Sequence, residues 1–361
     1  MPFIVDAHED LAWNMLTLNR DYTRSAEETR KVEEGSSILT HTDNTLLGWE
    51  DYQRGQTAIV FSTLFVSPER KKLGDWDTQS YKTFDEAHQC YRPQLEAYHL
   101  LTDKYPDKFR LIRDGNDLKD VLNHWQGPVD NHPVGLVVLM EGAEGVRKPS
   151  ELEEWWFLGV RIIGPAWAGT RFCGGTREPG PLTDDGRALL AGMAEIGMTL
   201  DVSHMDELAA RQALDDYPGA VIASHANCAA LLADYTGNRM LSDGVIKKII
   251  ERNGVIGLVP ALPFLKNGWK KEDGRQGLTM ASVFARQIDH ICQLAGNSQH
   301  VGFGTDFDGG FGLESAPADI DTIADLQKLG PILSNNGYSP SDIESILGKN
   351  WLRYLQESLP A

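Results

Sequence analysis

The sequence predicts an α/β protein, a (β/α)8 TIM barrel with long insertions after strands 1 and 2. Two observations carry this. Eight short apolar runs recur along the chain, most of them near-continuously apolar rather than alternating. That is the pattern of strands buried on both faces of a parallel sheet. Helix-like or loop stretches separate the runs, and strands alternating with helices build a parallel sheet wrapped by helices. An open, doubly wound sheet is the other architecture that the pattern allows. No repeat, low-complexity tract or linker interrupts the 361 residues, so a single domain over 1-361 is the economical organisation.

The eight runs are Phe3–His8, Thr57–Val66, Val134–Glu141, Arg161–Trp167, Thr199–His204, Ala220–His225, Val255–Pro260 and His300–Asp306. Four helical patterns lie among the later ones. Asp206 is placed to cap Glu207–Leu214, and Ser242 opens a helix over Asp243–Ile250. Thr279–Leu294 is amphipathic, and Ser339–Leu355 begins with a serine cap and a proline in the first turn. Glu9–Gln56 and Ser67–Pro133 are long for barrel connections, the second holding a helical pattern at Thr83–Tyr105. Such insertions sit over the active face and shape a pocket there.

Composition narrows the function. Lys+Arg number 34 against 52 Asp+Glu, a formal net charge of -18. Broad electrostatic binding to nucleic acid or to an anionic membrane is therefore not expected. Cys90, Cys173, Cys228 and Cys292 lie far apart without a CxxC pair and read as ordinary thiols. No secretory signal, membrane span or lipid-anchor tail is evident, which makes a soluble, cytoplasmic protein the default.

In a (β/α)8 barrel the catalytic groups sit at the C-terminal strand ends. Here those ends are rich in metal-type ligands. His8 and Asp10 are two apart, so on an extended chain they point the same way. Glu141 follows Val-Val-Leu-Met, where a carboxylate is costly unless paired, metal-bound or already at the loop surface. Runs five and six both end Ser-His, at His204 and His225, and the eighth run delivers Asp306, with Asp308 suited to stabilising the loop. Three imidazoles and two to three carboxylates form a hard-to-borderline set that suits zinc and, less specifically, manganese or iron. Their number exceeds the need of one tetrahedral ion, and two ions sharing a carboxylate account for the surplus.

These residues stand in motifs that resemble the membrane (renal) dipeptidase family of binuclear zinc peptidases, within the amidohydrolase-like barrels. The anchors are Asp6-Ala-His-Glu-Asp-Leu11, Met140-Glu-Gly142, Asp201-Val-Ser-His204, Ser224-His225 with Asn227, Arg239-Met-Leu-Ser-Asp243 and Val301-Gly-Phe-Gly-Thr-Asp-Phe-Asp-Gly309. The resemblance spans nearly the whole chain. It implies a zinc metallo-dipeptidase with two zinc ions per chain: His8 and Asp10 on one, His204 and His225 on the other, Glu141 bridging them. A hydroxide between the ions would attack the peptide bond of a small dipeptide, L-Xaa-D-Xaa among the candidates. Asp306 would act as general base and then acid. Arg239 would grip the substrate's terminal carboxylate, and a homodimer is implied by analogy.

The sequence departs from the family at two places. Ala7 and Glu9 stand where Gly and Asn are usual. At the end of the fourth strand, Trp167 stands at or near a histidine that steadies the oxyanion in mammalian members. An indole N–H donates one hydrogen bond but carries no charge, which makes Arg171 a candidate to supply it. Trp49 and Trp76, in the insertions, are candidate pocket residues. Two alternatives remain open here: a related hydrolase acting on another amide, a lactam or an ester, and a metal-free binding protein on the same barrel.

Overall fold

Eight parallel strands close into a ring in the computed structural model, which describes residues 2–127 and 131–361. They are β1 (Ile4–Glu9), β2 (Thr57–Phe65), β3 (Val134–Glu141), β4 (Val160–Gly164), β5 (Thr199–Asp201), β6 (Val221–Ile222), β7 (Ile256–Leu258) and β8 (Val301–Phe303). Neighbours in sequence are neighbours in the sheet, and β8 pairs back with β1 through Asp6 and Phe303. A parallel bridge between Ala223 and Ile256 joins β6 to β7 and completes the circle. The TIM-barrel expectation is met, and the open-sheet alternative is not.

Every residue of these eight strands is buried, as the continuous apolar runs require. The ring is tight where β6, β7 and β8 meet. A Cβ on Gly304 would stand 1.8 Å from the Ser224 carbonyl oxygen, so no larger residue fits there.

Strands β5 to β8 stop short of the runs that predict them, for a local reason. Asp201 uses its carboxylate to accept the Ser203 and Ser224 N–H groups, both at 2.9 Å. Asp6 accepts the Thr305 N–H at 2.7 Å, and Asn227 Oδ1 accepts the Val259 N–H at 2.8 Å. Side chains thus replace the backbone ladder at the barrel mouth and free those segments to turn toward the axis.

The predicted caps are in place. Asp206 accepts from the Leu208 N–H, Ser242 from Val245 and Ser339 from Asp342. The third pattern begins at Thr279 with a π-helical turn, Met280–Phe284, before Ala285–Ala295. The fourth divides into Pro340–Glu344, a π-helical Ser345–Lys349 and Asn350–Ser358.

The long connection after β2 contains a 21-residue helix, Phe84–Lys104, opened by a Thr83–Glu86 capping box. It lies against the barrel mouth and fixes strand ends there. Tyr91 donates its hydroxyl to the Glu141 carbonyl at 2.6 Å, and Tyr98 donates to that of Thr63 at 2.7 Å. Among the described residues no helix is long and apolar enough to cross a membrane.

Candidate metal centre

The ends of β1, β3, β5, β6 and β8 bring His8, Asp10, Glu141, His204, His225 and Asp306 together in the barrel mouth, all buried. Three overlapping groups of these residues each place their donor atoms within 4.8 Å of one another. Glu141 divides its two oxygens between them. Its Oε1 lies 3.1 Å from His204 Nε2 and 3.5 Å from His225 Nε2, while Oε2 lies 3.5 Å from His8 Nε2. His8 Nε2 is also 3.9 Å from Asp10 and 3.8 Å from Asp306.

Two of the six residues reach the centre through backbone that non-glycine residues rarely adopt. His204 has φ 66° and Asp306 φ 56°, both left-handed. Such strain costs about 1–3 kcal/mol and persists where the surroundings demand it. Asp306 is accommodated by Gly309, where a Cβ would stand 2.0 Å from its Oδ1.

Each imidazole is oriented by a partner on its far nitrogen. Thr176 Oγ1 lies 2.9 Å from His204 Nδ1, and Ser224 Oγ lies 2.8 Å from His225 Nδ1 and 3.4 Å from His8 Nδ1. Ser224 donates its own hydroxyl to Asp201. The three Nε2 atoms are thereby turned toward Glu141, as metal-binding histidines are turned by their outer partners.

These six side chains crowd like charges together. Burial pushes the Asp306 carboxyl well above its usual range; His8 opposes this, while Asp10 and Glu141 add to it. Burial likewise raises Asp10, to about 7. Burial alone would lower His8, but the carboxylates of Glu141, Asp10 and Asp306 outweigh it and raise the imidazole to about 10. Burial, with the charges of Arg239 and His8 nearby, holds His204 and His225 well below the ordinary histidine value. Among the described residues His8 Nε2 and Asp10 Oδ1 are buried without any hydrogen-bond partner. Three carboxylates and three imidazoles facing one point, with unsatisfied donor atoms, suit divalent cations in both charge and ligand type.

A cavity of about 460 Å³ opens over the centre. Its apolar wall includes Trp13, Phe65, Leu73, Trp167, Phe264 and Phe311. Arg239 also lines it, buried, with Nη2 donating to the His225 carbonyl at 2.8 Å. Among the described residues its Nε and Nη1 have no partner. Burial lowers the guanidinium's pKa, against the pull of Asp306 and Glu141.

Trp167 joins the wall with its ring centroid 6.2 Å from that of His204 and 5.1 Å from that of Phe65. Arg171 is elsewhere. It is not part of the cavity wall: its guanidinium donates to the Val146 carbonyl, lies 3.9 Å from Glu144 and packs over Phe84 and Phe172. Those loop contacts hold it away from the centre, contrary to its expected place beside the substrate. Trp49 and Trp76 do not line the cavity either. Trp49 is buried beneath Lys108, and Trp76 packs edge-on against Trp13 and stacks on His41. Trp13, which does line it, carries no sequence signal beyond lying in the first insertion. Asp308 buttresses the loop as expected, accepting from Tyr22 and Leu46 and pairing with Arg20 at 3.1 Å.

Comparisons with known proteins give the family and the fold. The family model for membrane dipeptidase (peptidase family M19) matches residues 2–359. Dipeptidase tcpJ of Claviceps purpurea is 25% identical over 329 residues, covering 86% of this chain and 70% of that protein. Among solved structures, dipeptidase AC, a family M19 metallo peptidase, superposes with a TM-score of 0.78 at 23% identity, covering 100% of this chain and 99% of the other. A metallo peptidase from Rhodobacter sphaeroides, liganded with a phosphinate mimic of L-Ala-D-Ala, gives a TM-score of 0.77 at 23% identity and covers 99% of each chain. The match over almost the full length shows that the chain belongs to the membrane dipeptidase family, peptidase family M19.

Proposed function

We propose that this protein is a zinc dipeptidase that binds two ions per chain and cleaves small dipeptides, L-Xaa-D-Xaa among them. The observation that supports this most is the division of Glu141, with one oxygen toward His204 and His225 and the other toward His8. That arrangement suits a carboxylate shared by two ions: His8 and Asp10 would hold one, His204 and His225 the other. Ions bound there would polarise the scissile carbonyl and bring the pKa of water down toward 7, giving hydroxide at neutral pH.

The chain's own groups account for the rest. Arg239 presents two unpartnered guanidinium nitrogens to the cavity, a match for the substrate's terminal carboxylate. Asp306 faces the same space and is positioned to take a proton from water and return it to the leaving amine. The cavity is small, and its apolar wall suits short side chains.

Trp167 supports a second reading. The indole stands where the resemblance places an oxyanion-stabilising histidine and brings no charge. Losing such a donor costs about 10²–10³ in rate, which leaves room for a different amide, lactam or ester as the substrate. A panel of L,D- and L,L-dipeptides, N-acyl amino acids and lactams, assayed before and after chelation, separates the two. Chelator-sensitive cleavage confined to dipeptides supports the first reading; cleavage of the others alone replaces it with the second.

A further inference from the structure

The outer wall of the cavity is cationic in an acidic protein. Among the described residues that line it, the only carboxylates are Asp10, Glu141 and Asp306, all within the six-residue cluster. The remaining charged lining residues are Lys71, Arg177 and Arg239. A chain with net charge -18 repels anions in general, whereas this lining, beyond the three carboxylates of the cluster, offers an anion only cations.

The Arg177 main chain is fixed there, and its side chain is exposed. It follows Thr176, the partner of His204, at the tip of the hairpin formed by Cys173–Gly175 and Glu178–Leu182. Its φ is 61°, a left-handed turn position where Gly or Asn is the unstrained choice. Its N–H donates to Asn238 Oδ1 at 2.9 Å, and Asn238 in turn donates to the Gly175 carbonyl and to Asp206. The turn is thus tied to the residue that immediately precedes Arg239. Among the described residues the Arg177 guanidinium forms no ion pair. Lys71 lies 3.4 Å from Glu178, a carboxylate already paired with Arg70 at 2.6 Å. One acid therefore faces two cations, and Arg177 has none.

We propose that the protein selects dipeptides whose C-terminal residue carries a side-chain carboxylate, aspartyl or glutamyl. Arg177, aided by Lys71, receives this second carboxylate next to the α-carboxylate at Arg239. The inference rests on the dipeptidase reading above and adds the substrate class. Arg177 adjoins Arg239 through Asn238, which assigns the extra charge to the C-terminal residue rather than the N-terminal one.

The test compares L-Ala-D-Asp with the near-isosteric L-Ala-D-Asn, and the L,L pair likewise, by kcat/KM and by calorimetric binding to the metal-loaded protein. The acid is preferred by about threefold to tenfold, chiefly in KM, and the preference shrinks in high salt. Arg177→Asn, which keeps the left-handed turn unstrained, brings the ratio close to one, whereas Arg177→Lys keeps most of it. A wild-type ratio of one or less, or a ratio unaltered in Arg177→Asn combined with Lys71→Ala, overturns the proposal while leaving dipeptide hydrolysis standing. If no dipeptide is cleaved, the dipeptidase reading fails and the calorimetric ratio decides alone: tighter binding of the acid, lost in Arg177→Asn, supports the charge preference, and equal binding overturns it.

Discussion

Asp201 accepts the hydroxyl proton of Ser224. With its one proton committed, Ser224 Oγ can only accept from His225 Nδ1, 2.8 Å away, and from His8 Nδ1 at 3.4 Å. One serine therefore sets the tautomer of an imidazole on each side of Glu141 and leaves both Nε2 atoms free to bind metal. Ser224→Ala is expected to weaken metal binding by about 10–100-fold, with the fold retained. Competition with a chelating dye measures the affinity, and circular dichroism checks the fold. Unaltered affinity would show that packing alone orients the rings.

In the proposed reaction Asp306 transfers protons rather than holding the ions. Asp306→Asn accordingly lowers kcat by about 10²–10⁴-fold while leaving the metal content intact. Turnover and elemental analysis on the same preparation read both quantities. A variant that loses its metal together with its activity would make Asp306 a ligand instead.

The metal-stripped protein has a pH dependence with a definite sign. The folded His8 titrates near 10, above its ordinary value of 6.5. A raised histidine contributes stability that is complete below 6.5 and is lost as pH climbs through 10. Asp10, raised from 3.8 to about 7, acts in the same direction but over its own window, below about pH 7. His204 and His225, held well below 6.5, are neutral in both states above that pH and add nothing there. The unfolding free energy of chelated protein, from urea titrations, should fall between pH 6.5 and 10 by on the order of a few kcal/mol. Reloading zinc should flatten the slope, because a ligated His8 no longer binds a proton. A flat profile in the chelated protein would contradict the crowding of carboxylates around His8.

Gly304 is where the ring closes most tightly, and Gly304→Ala drives a methyl into the Ser224 carbonyl. The expected loss is about 1–3 kcal/mol or more in denaturant unfolding. The damage should extend to metal affinity, since Ser224 would shift. Wild-type stability in this variant would mean that β6 and β8 can separate at little cost.

The barrel was legible because its strands are buried on both faces: all eight apolar runs became strands, and the caps Asp206, Ser242 and Ser339 formed where polar residues precede helical periodicity. Strand ends were less legible. Thr199–His204 reads as one strand, but Asp201 ends the ladder by capturing two N–H groups across a strand boundary, a contact that composition does not encode. The same holds for the cavity. His8, Asp10, Glu141, His204, His225 and Asp306 were found because strand ends share one face, and the motifs supplied Arg239 and Trp167. Arg171 was misplaced because only the fold shows Glu144 and the Val146 carbonyl beside it. Trp13 and Arg177 reach the cavity from an insertion and a hairpin tip, whose paths periodicity does not predict.

The central claim is that Glu141 is shared by two ions. Metal content per chain, measured by elemental analysis on wild type and on Glu141→Gln after loading with zinc, tests it most directly. The account predicts two ions in the wild type, fewer in the variant, and dipeptide hydrolysis that disappears on chelation. A wild-type chain that takes up no metal from zinc, manganese or iron solutions would contradict it.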